Sequence, residues 1–175
     1  MTTTKRWAGL LRAVNVGGRK LPMADLRRVT EEAGFTEVAT LLASGNLVFS
    51  GSGSEAAIRE RLEAAIHDLT GFHAEVLLRS KQQLEVLLAA NPFPDGQPAR
   101  VLVCFLDAEA PAGLAEKLAA AAAGERILVA GTEIWIDFSD GIGVSKLWAR
   151  LPALVKPRIV TGRNVNTVGK LAALL

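Results

Sequence analysis

The sequence contains very few of the side chains that hold metals or form disulfides. Among its 175 residues there are one cysteine, Cys104, and two histidines. This set cannot make an ordinary zinc site, and a single cysteine cannot form a disulfide within the chain. We therefore expect no metal site, and no motif predicts a cofactor. The lone cysteine also favours a reducing compartment, so we expect a cytoplasmic protein.

Signatures of membranes, nucleic acids and common enzymes are missing as well. No apolar run approaches the ~20 residues of a membrane span, and the run after Lys5 and Arg6 is interrupted by Arg12. The net charge is only +2, there is no tyrosine, and the three tryptophans are spread along the chain. A base-stacking platform therefore has little support. We therefore expect no membrane association, and nucleic acid is disfavoured as a partner. The G-x-S-x-G pattern of hydrolases is also absent.

Acidic residues are missing from both ends of the chain. Residues 5–20 hold five basic residues and no acid, and residues 141–175 hold six basic residues and no acid. Residues 55–99 compensate, with four basic and seven acidic residues. If the two ends meet in space they form one basic face. The alternative is a set of scattered, solvated lysines and arginines.

The spacing of apolar residues, glycines and prolines predicts the element order βαββαβ twice. We therefore predict an α+β protein with two tandem ferredoxin-like halves and an extra C-terminal helix. The first half spans 1–79, a connecting helix and linker span 80–99, and the second half with the final helix spans 100–175. The predicted strands are 6–14, 38–43, 47–49, 74–78, 100–106, 127–129, 134–138 and 158–160.

The first candidate for a binding site is the loop that follows the first strand. It contains Arg12, Asn15 and the pair Gly17 and Gly18, and basic residues end it. Two successive glycines can take positive φ, and free backbone amides in such a loop can bind an anion, although the loop lacks the spacing of either the G-x-G-x-x-G or the P-loop fingerprint. In a split βαβ unit the hairpin turn 44–46 lies at the same edge of the sheet. The alternative is that tight turns simply need glycine and asparagine.

The second candidate is the polar segment before the last helix, which also carries basic residues and no acid. Basic residues near a helix N-terminus oppose the helix dipole, which weakly favours an anion-facing end over a plain capped helix. We expect segments 15–20 and 163–170 to converge on one cleft, where an anion or the acids of the chain itself complete the pairing. The predicted ligand-binding residues are Arg12, Asn15, Gly17, Gly18, Ser44, Gly45, Asn46, Arg163, Asn164, Asn166 and Lys170.

Several short segments together resemble the family catalogued as domain of unknown function 1697. They are 11–18 (LRAVNVGG), 22–27 (PMADLR), 34–35 (GF), 44–49 (SGNLVF) and 161–171 (TGRNVNTVGKL). The resemblance implies a compact α+β protein with two ferredoxin-like halves and no established activity. Val165 stands where the family typically has tryptophan, and Ala43 where glutamine is common. If that tryptophan stacks on a ligand, this chain binds the ligand weakly or not at all.

Three functions are compatible with these features. The leading hypothesis is a cytoplasmic protein that binds a small anionic ligand in a basic cleft rich in asparagine and glycine. The first alternative is a metal-independent enzyme that acts on a phosphorylated or carboxylated metabolite in the same pocket. The second alternative is a nucleic-acid-binding module that uses the ferredoxin-like sheet. The sequence assigns no catalytic residue, no specific ligand and no oligomeric state.

Overall fold

The structure, a computed structural model, describes residues 2–175. The chain forms two compact units. The first contains the residues up to Glu85 together with Leu171–Leu175, and the second contains Val86–Lys170. The limits expected from the sequence, 1–79, 80–99 and 100–175, stay a prediction.

The first unit is built around one antiparallel sheet with two helices. Its elements in chain order are β1 (Lys5–Leu11), α1 (Met23–Glu32), β2 (Thr36–Leu41), β3 (Asn46–Gly51), α2 (Glu55–Thr70), β4 (Val76–Ser80) and the start of α3 (Lys81–Ala89). The strand order across the sheet is β2-β3-β1-β4. All three strand pairs are antiparallel.

The second unit repeats this arrangement. Its elements are β5 (Val101–Leu106), α4 (Leu114–Ala121), β6 (Arg126–Ala130), β7 (Glu133–Asp137), a 3-10 turn (Ile142–Val144), α5 (Lys146–Leu154), β8 (Val160–Asn164) and most of α6 (Val165–Leu174). The strand order is β6-β7-β5-β8, again with antiparallel pairs only.

The two sheets have the same topology, since the first, second, third and fourth strands of each unit take the order 2-3-1-4. The tandem ferredoxin-like fold and the extra C-terminal helix are thereby confirmed. The hairpin turns also correspond: Gly45 in the first unit has φ 86° and Gly131 in the second has φ 63°. Both turns need a residue that tolerates a left-handed backbone.

Helix ends and cores follow the local sequence signals. The Ser54 hydroxyl accepts a hydrogen bond from the Ala57 amide at 3.1 Å and caps α2, and Ser145 caps α5 through the Trp148 amide at 3.1 Å. In the first unit Phe49 of β3 is fully buried in a core that α2 also lines. Burial of such an aromatic or leucine side chain stabilises the fold by roughly 1.5–3 kcal/mol.

No helix in the described residues is long and apolar enough to cross a bilayer.

Two predicted strands have a limit that is wrong by three or more residues. The first strand ends at Leu11 and not at residue 14, because Ala13 and Asn15 both have φ 55° and turn the chain out of the sheet. The last strand is Val160–Asn164 and not 158–160. Its polar sequence gives little strand signal, and the strand forms because it pairs along Leu102–Leu106 of β5.

Candidate functional site

The loop after β1 is held in place by the side chain of Asn15. Its Nδ2 donates to the carbonyl oxygens of Leu21 at 2.9 Å and Ala43 at 2.7 Å, and its Oδ1 accepts from the Leu21 amide at 2.8 Å. These three bonds tie both ends of the loop together and fasten the loop to the β2–β3 turn. The sequence predicted that Asn15 contacts a ligand. In the structure its side chain holds the loop in shape.

The β2–β3 turn lies at the same end of the sheet, as the split βαβ topology predicts. The Leu11 amide donates to the Gly45 carbonyl oxygen at 2.9 Å, and Asn46 pairs with Leu10 across the two strands. Asn46 is fully buried, and its Nδ2 donates to Leu41 O at 2.8 Å and to Ser44 Oγ at 2.9 Å. Asn46 thus bonds to the turn from its buried side, whereas Ser44 is exposed.

Two consecutive amides in the loop are left for other partners. The Arg19 amide donates to the Val16 carbonyl at 3.0 Å and closes a turn over Gly17 and Gly18. These glycines have φ 57° and 83°, both are exposed, and no group in residues 2–175 accepts a hydrogen bond from their amides. A Cβ atom at either position would meet nothing within 4 Å. Successive free amides in a left-handed turn form a concave donor set suited to an anion.

The cations around this loop differ in how far they are engaged. Arg12 lies 3.4 Å from Glu75 through Nη1, with both side chains partly exposed. The Arg19 guanidinium stacks 5.3 Å from the centre of the Phe72 ring and donates to the His73 carbonyl at 3.3 Å. Lys20 is exposed. An acid from the middle of the chain therefore does pair with Arg12, one of the two pairings that the sequence predicted.

The second group of predicted ligand residues lies around the end of β8 and the start of α6. Arg163 is only 6% exposed, and its Nη1 donates to Thr161 Oγ1 at 2.7 Å and to the Gly162 carbonyl at 2.9 Å. Burial lowers the pKa of Arg163 to about 10. Arg163, which the sequence proposed for ligand contact, is therefore buried and bonded within its own strand. Asn164 Oδ1 accepts from the Thr167 amide at 2.9 Å and caps α6, whereas Asn166 and Lys170 are exposed.

The sequence missed a charged network in the second unit. Asp137 is buried, and its Oδ2 accepts from Arg126 Nε at 3.0 Å and Nη2 at 2.6 Å. Arg126 also contacts both carboxylate oxygens of the exposed Asp95 at 3.1 Å and lies 4.7 Å from the centre of the Phe93 ring. The usable signal was that Arg126 and Asp137 are equidistant from the Gly131-Thr132 turn and so face each other in the hairpin. Within residues 2–175 no three acidic, histidine or cysteine side chains cluster as metal ligands would.

Comparison with known proteins places these features in a family. The family model for proteins of unknown function, DUF1697, matches residues 4–135, about three quarters of the chain. The chain belongs to the DUF1697 family. The solved structure of conserved bacterial protein SP0830 from Streptococcus pneumoniae is similar to this DUF1697 protein, with a TM-score of 0.75 and 26% identity over 99% of each chain. A search of curated proteins finds no match.

The matched segment divides the predicted site residues of this DUF1697 protein. The loop 12–20 and the turn 44–46 lie inside residues 4–135, and segment 163–170 lies beyond them. The loop and the turn belong to the first unit, whereas 163–170 belongs to the second. Convergence of the two segments on one cleft stays a prediction. We call the loop 12–20 together with the turn 44–46 the loop–turn site.

Proposed function

We propose that this DUF1697 protein binds a small anionic ligand at the loop–turn site. The observation that carries the proposal is the pair of free, exposed amides at Gly17 and Gly18 in a loop that Asn15 anchors by three hydrogen bonds. A donor set that is already ordered costs little to organise when a ligand arrives. Phosphate and carboxylate groups are the acceptors that such amides and nearby cations bind best.

The charges around the loop support the same ligand class. Residues 5–20 contain no acid, and Lys20, which follows Gly18 and Arg19 in the sequence, is exposed. Arg12 is held by Glu75 at 3.4 Å, a long and partly exposed contact that contributes about 0–1 kcal/mol. An arriving anion competes with Glu75 for Arg12 at little cost. We propose that the protein acts in the cytoplasm, which its one buried, unpaired cysteine supports.

The proposal is favoured over nucleic-acid binding by the state of the sheet. Domains that bind RNA on a ferredoxin-like sheet use exposed aromatic side chains of the central strands. In the central strand β1 every residue from Trp7 to Leu11 is buried. The enzymatic alternative shares the loop–turn site and differs only in turnover, so the experiment below includes it.

The test replaces Gly18 by two side chains that have nearly the same shape and differ in charge. Asn and Asp both tolerate a left-handed backbone, and the space around Gly18 is open. We expect phosphate, nucleotides or carboxylates to raise the melting temperature of the wild type at constant ionic strength. We expect Gly18→Asn to keep most of this shift and Gly18→Asp to lose it. Lys5→Gln, at the other end of β1, is the control for general loss of positive charge.

Each outcome of this screen decides between the hypotheses. If no anion stabilises the wild type beyond chloride, or if Gly18→Asp responds as Gly18→Asn does, the loop–turn site does not bind anions. If chromatography shows that the protein consumes a stabilising ligand, the protein is an enzyme. Affinity for oligonucleotides that falls linearly with the logarithm of salt concentration, with no response to small anions, identifies a nucleic-acid binder.

A further inference from the structure

Strand β6 is an unprotected edge of the second sheet. In the described part of the chain it pairs with β7 alone, through five consecutive residue pairs without a bulge. Its sequence, Arg-Ile-Leu-Val-Ala, has no proline, and its single charge is at the first position. Leu128, the middle residue, is 43% exposed. Regular, apolar edge strands of this kind readily pair with a strand from another chain.

The equivalent edge of the first sheet, β2, is protected. Its register with β3 shifts between Thr36 and Ala39, which marks a bulge, and Glu37 within it has φ 50°. The Glu37 carboxylate forms an ion pair with Arg6 at 3.0 Å and places a charge on this edge. A bulge and a charge are two of the ways in which proteins block pairing at sheet edges. The contrast singles out β6 within a fold that is otherwise repeated.

The hydrogen bonds of the neighbouring strands show which backbone groups of β6 point outward. The Leu106 amide donates to Thr132 O at 2.8 Å and the Phe138 amide donates to Arg100 O at 2.9 Å. The backbone N–H and C=O groups of the even-numbered residues of β7 therefore point toward β5. The odd-numbered residues of β7 therefore face β6, where their partners are Ala130, Leu128 and Arg126. The amides and carbonyls of Ile127 and Val129 consequently point away from the sheet. Nothing in residues 2–175 bonds to them.

We propose that β6 pairs with β6 of a second copy of this chain, antiparallel and with the two-fold axis at Leu128. In this register Ile127 of one copy lies opposite Val129 of the other, and the outward groups of both pairs form four backbone hydrogen bonds. Leu128 then lies opposite Leu128 of the second copy, which covers its exposed side chain. Arg126 lies opposite Ala130, so no like charges meet. The strand is thus complementary to itself, which is the requirement for a closed two-fold dimer.

The proposed dimer is weak and depends on concentration. Stable interfaces bury roughly 1,200–2,000 Å² in total, more than two five-residue strands supply. Sedimentation velocity of the full chain from micromolar to millimolar concentration measures the association directly. We expect the wild type to shift from monomer to dimer across this range. Val129→Pro removes an outward amide and no bond to β7, and Leu128→Lys places two positive charges at the axis, so both variants stay monomeric.

A charge-swap mixture tests the position of the axis. Leu128→Lys and Leu128→Glu are each monomeric alone, and an equal mixture of the two restores the dimer, because only pairing at the axis brings residue 128 against itself. Val86→Lys changes a residue of α3 that is 62% exposed, and leaves the dimer intact. Circular dichroism confirms that the variants are folded. A wild type that remains monomeric throughout, a dimer that survives both substitutions, or a mixture that stays monomeric overturns the proposal.

Discussion

The side chain of Asn15 and the backbone carbonyl of Ala43 are joined by a 2.7 Å hydrogen bond across 28 positions of sequence. The same side chain bonds to both backbone groups of Leu21. Asn15 therefore supplies side-chain hydrogen bonds where the backbone pairing of the first strand ends, just beyond the Arg12 amide that donates to the Glu75 carbonyl. The loop is ordered by one side chain, and its own glycine amides stay available.

We expect Asn15→Gly to destabilise the protein by roughly 1–2 kcal/mol, because it removes three hydrogen bonds, some of them partly exposed to water. Glycine keeps the positive φ of 55° at this position, so backbone strain does not contribute. Urea unfolding followed by circular dichroism measures the change. Asn166→Ala, at an exposed asparagine of α6, is the control and leaves stability nearly unchanged. Equal stability of Asn15→Gly and wild type would show that the loop is ordered without this side chain.

Gly45 and Gly71 provide a second prediction, since both have positive φ and only one is crowded. A Cβ at Gly45 would lie 2.6 Å from Val14 Cγ2 and 2.8 Å from Leu11 Cβ, whereas a Cβ at Gly71 meets nothing within 4 Å. We expect Gly71→Ala to cost about 1–2 kcal/mol from left-handed strain alone. Gly45→Ala adds an overpacking cost of about 1–3 kcal/mol. Comparable melting temperatures for the two variants would mean that the β2–β3 turn relaxes away from β1.

The doubled fold could be predicted because its signals are local. Ser54 and Gly71 mark the ends of α2, and the apolar strands alternate with helices of ordinary spacing. Strand β8 carries a much weaker signal, because Gly162 and Asn164 belong to residue types that are depleted in strands. The strand depends on β5, which lies more than fifty residues earlier. Gly162 is needed there because a Cβ would come within 2.8 Å of the Trp148 ring.

The candidate site was predicted less completely for a related reason. The residue types that bind anions also close turns and cap helices, so composition does not separate the two roles. Asn46 and Asn164 both serve the fold itself. Asn46 donates a hydrogen bond to the Leu41 carbonyl next to the turn, and Asn164 caps α6 by accepting from the Thr167 amide. Arg163 was expected in a loop because the strand containing it was not visible in the sequence. Gly17 and Gly18 keep free amides because the chain leaves the sheet before them.

The third prediction concerns acid stability and Glu125. Burial alone raises the pKa of this carboxyl, but hydrogen bonds from Ser145 Oγ at 2.7 Å and from the Ala123 amide at 2.6 Å outweigh it, and the net pKa lies below the ordinary 4.5. A lowered pKa in the folded state stabilises the fold above pH 4.5, and this contribution is lost as the pH falls through the folded value. We expect the stability difference between wild type and Glu125→Gln to shrink as the pH falls from 4.5 to the lower pKa of the folded state. A difference that is constant across that range would contradict it.

Cys104 gives the last prediction. The thiol is fully buried in β5, and burial raises its pKa to about 12 from an ordinary 9. The reactive thiolate is therefore absent from the folded protein at neutral pH. Iodoacetamide should label Cys104 only at the rate at which the protein opens, and urea should accelerate the reaction in step with unfolding. Between pH 9 and 12 the unfolded state has lost a proton that the folded state keeps, so stability falls as the pH rises.

Cys104→Ala lacks this ionisation and isolates its effect from other alkaline titrations. The unfolding free energy of the wild type relative to Cys104→Ala should fall by up to about 1.4 kcal/mol for each pH unit above 9. Urea titrations of both proteins, from neutral pH to about pH 11, measure the slope. Fast labelling of the native protein that urea does not accelerate, or parallel pH profiles for the two proteins, would mean that the thiol reaches solvent in the folded state.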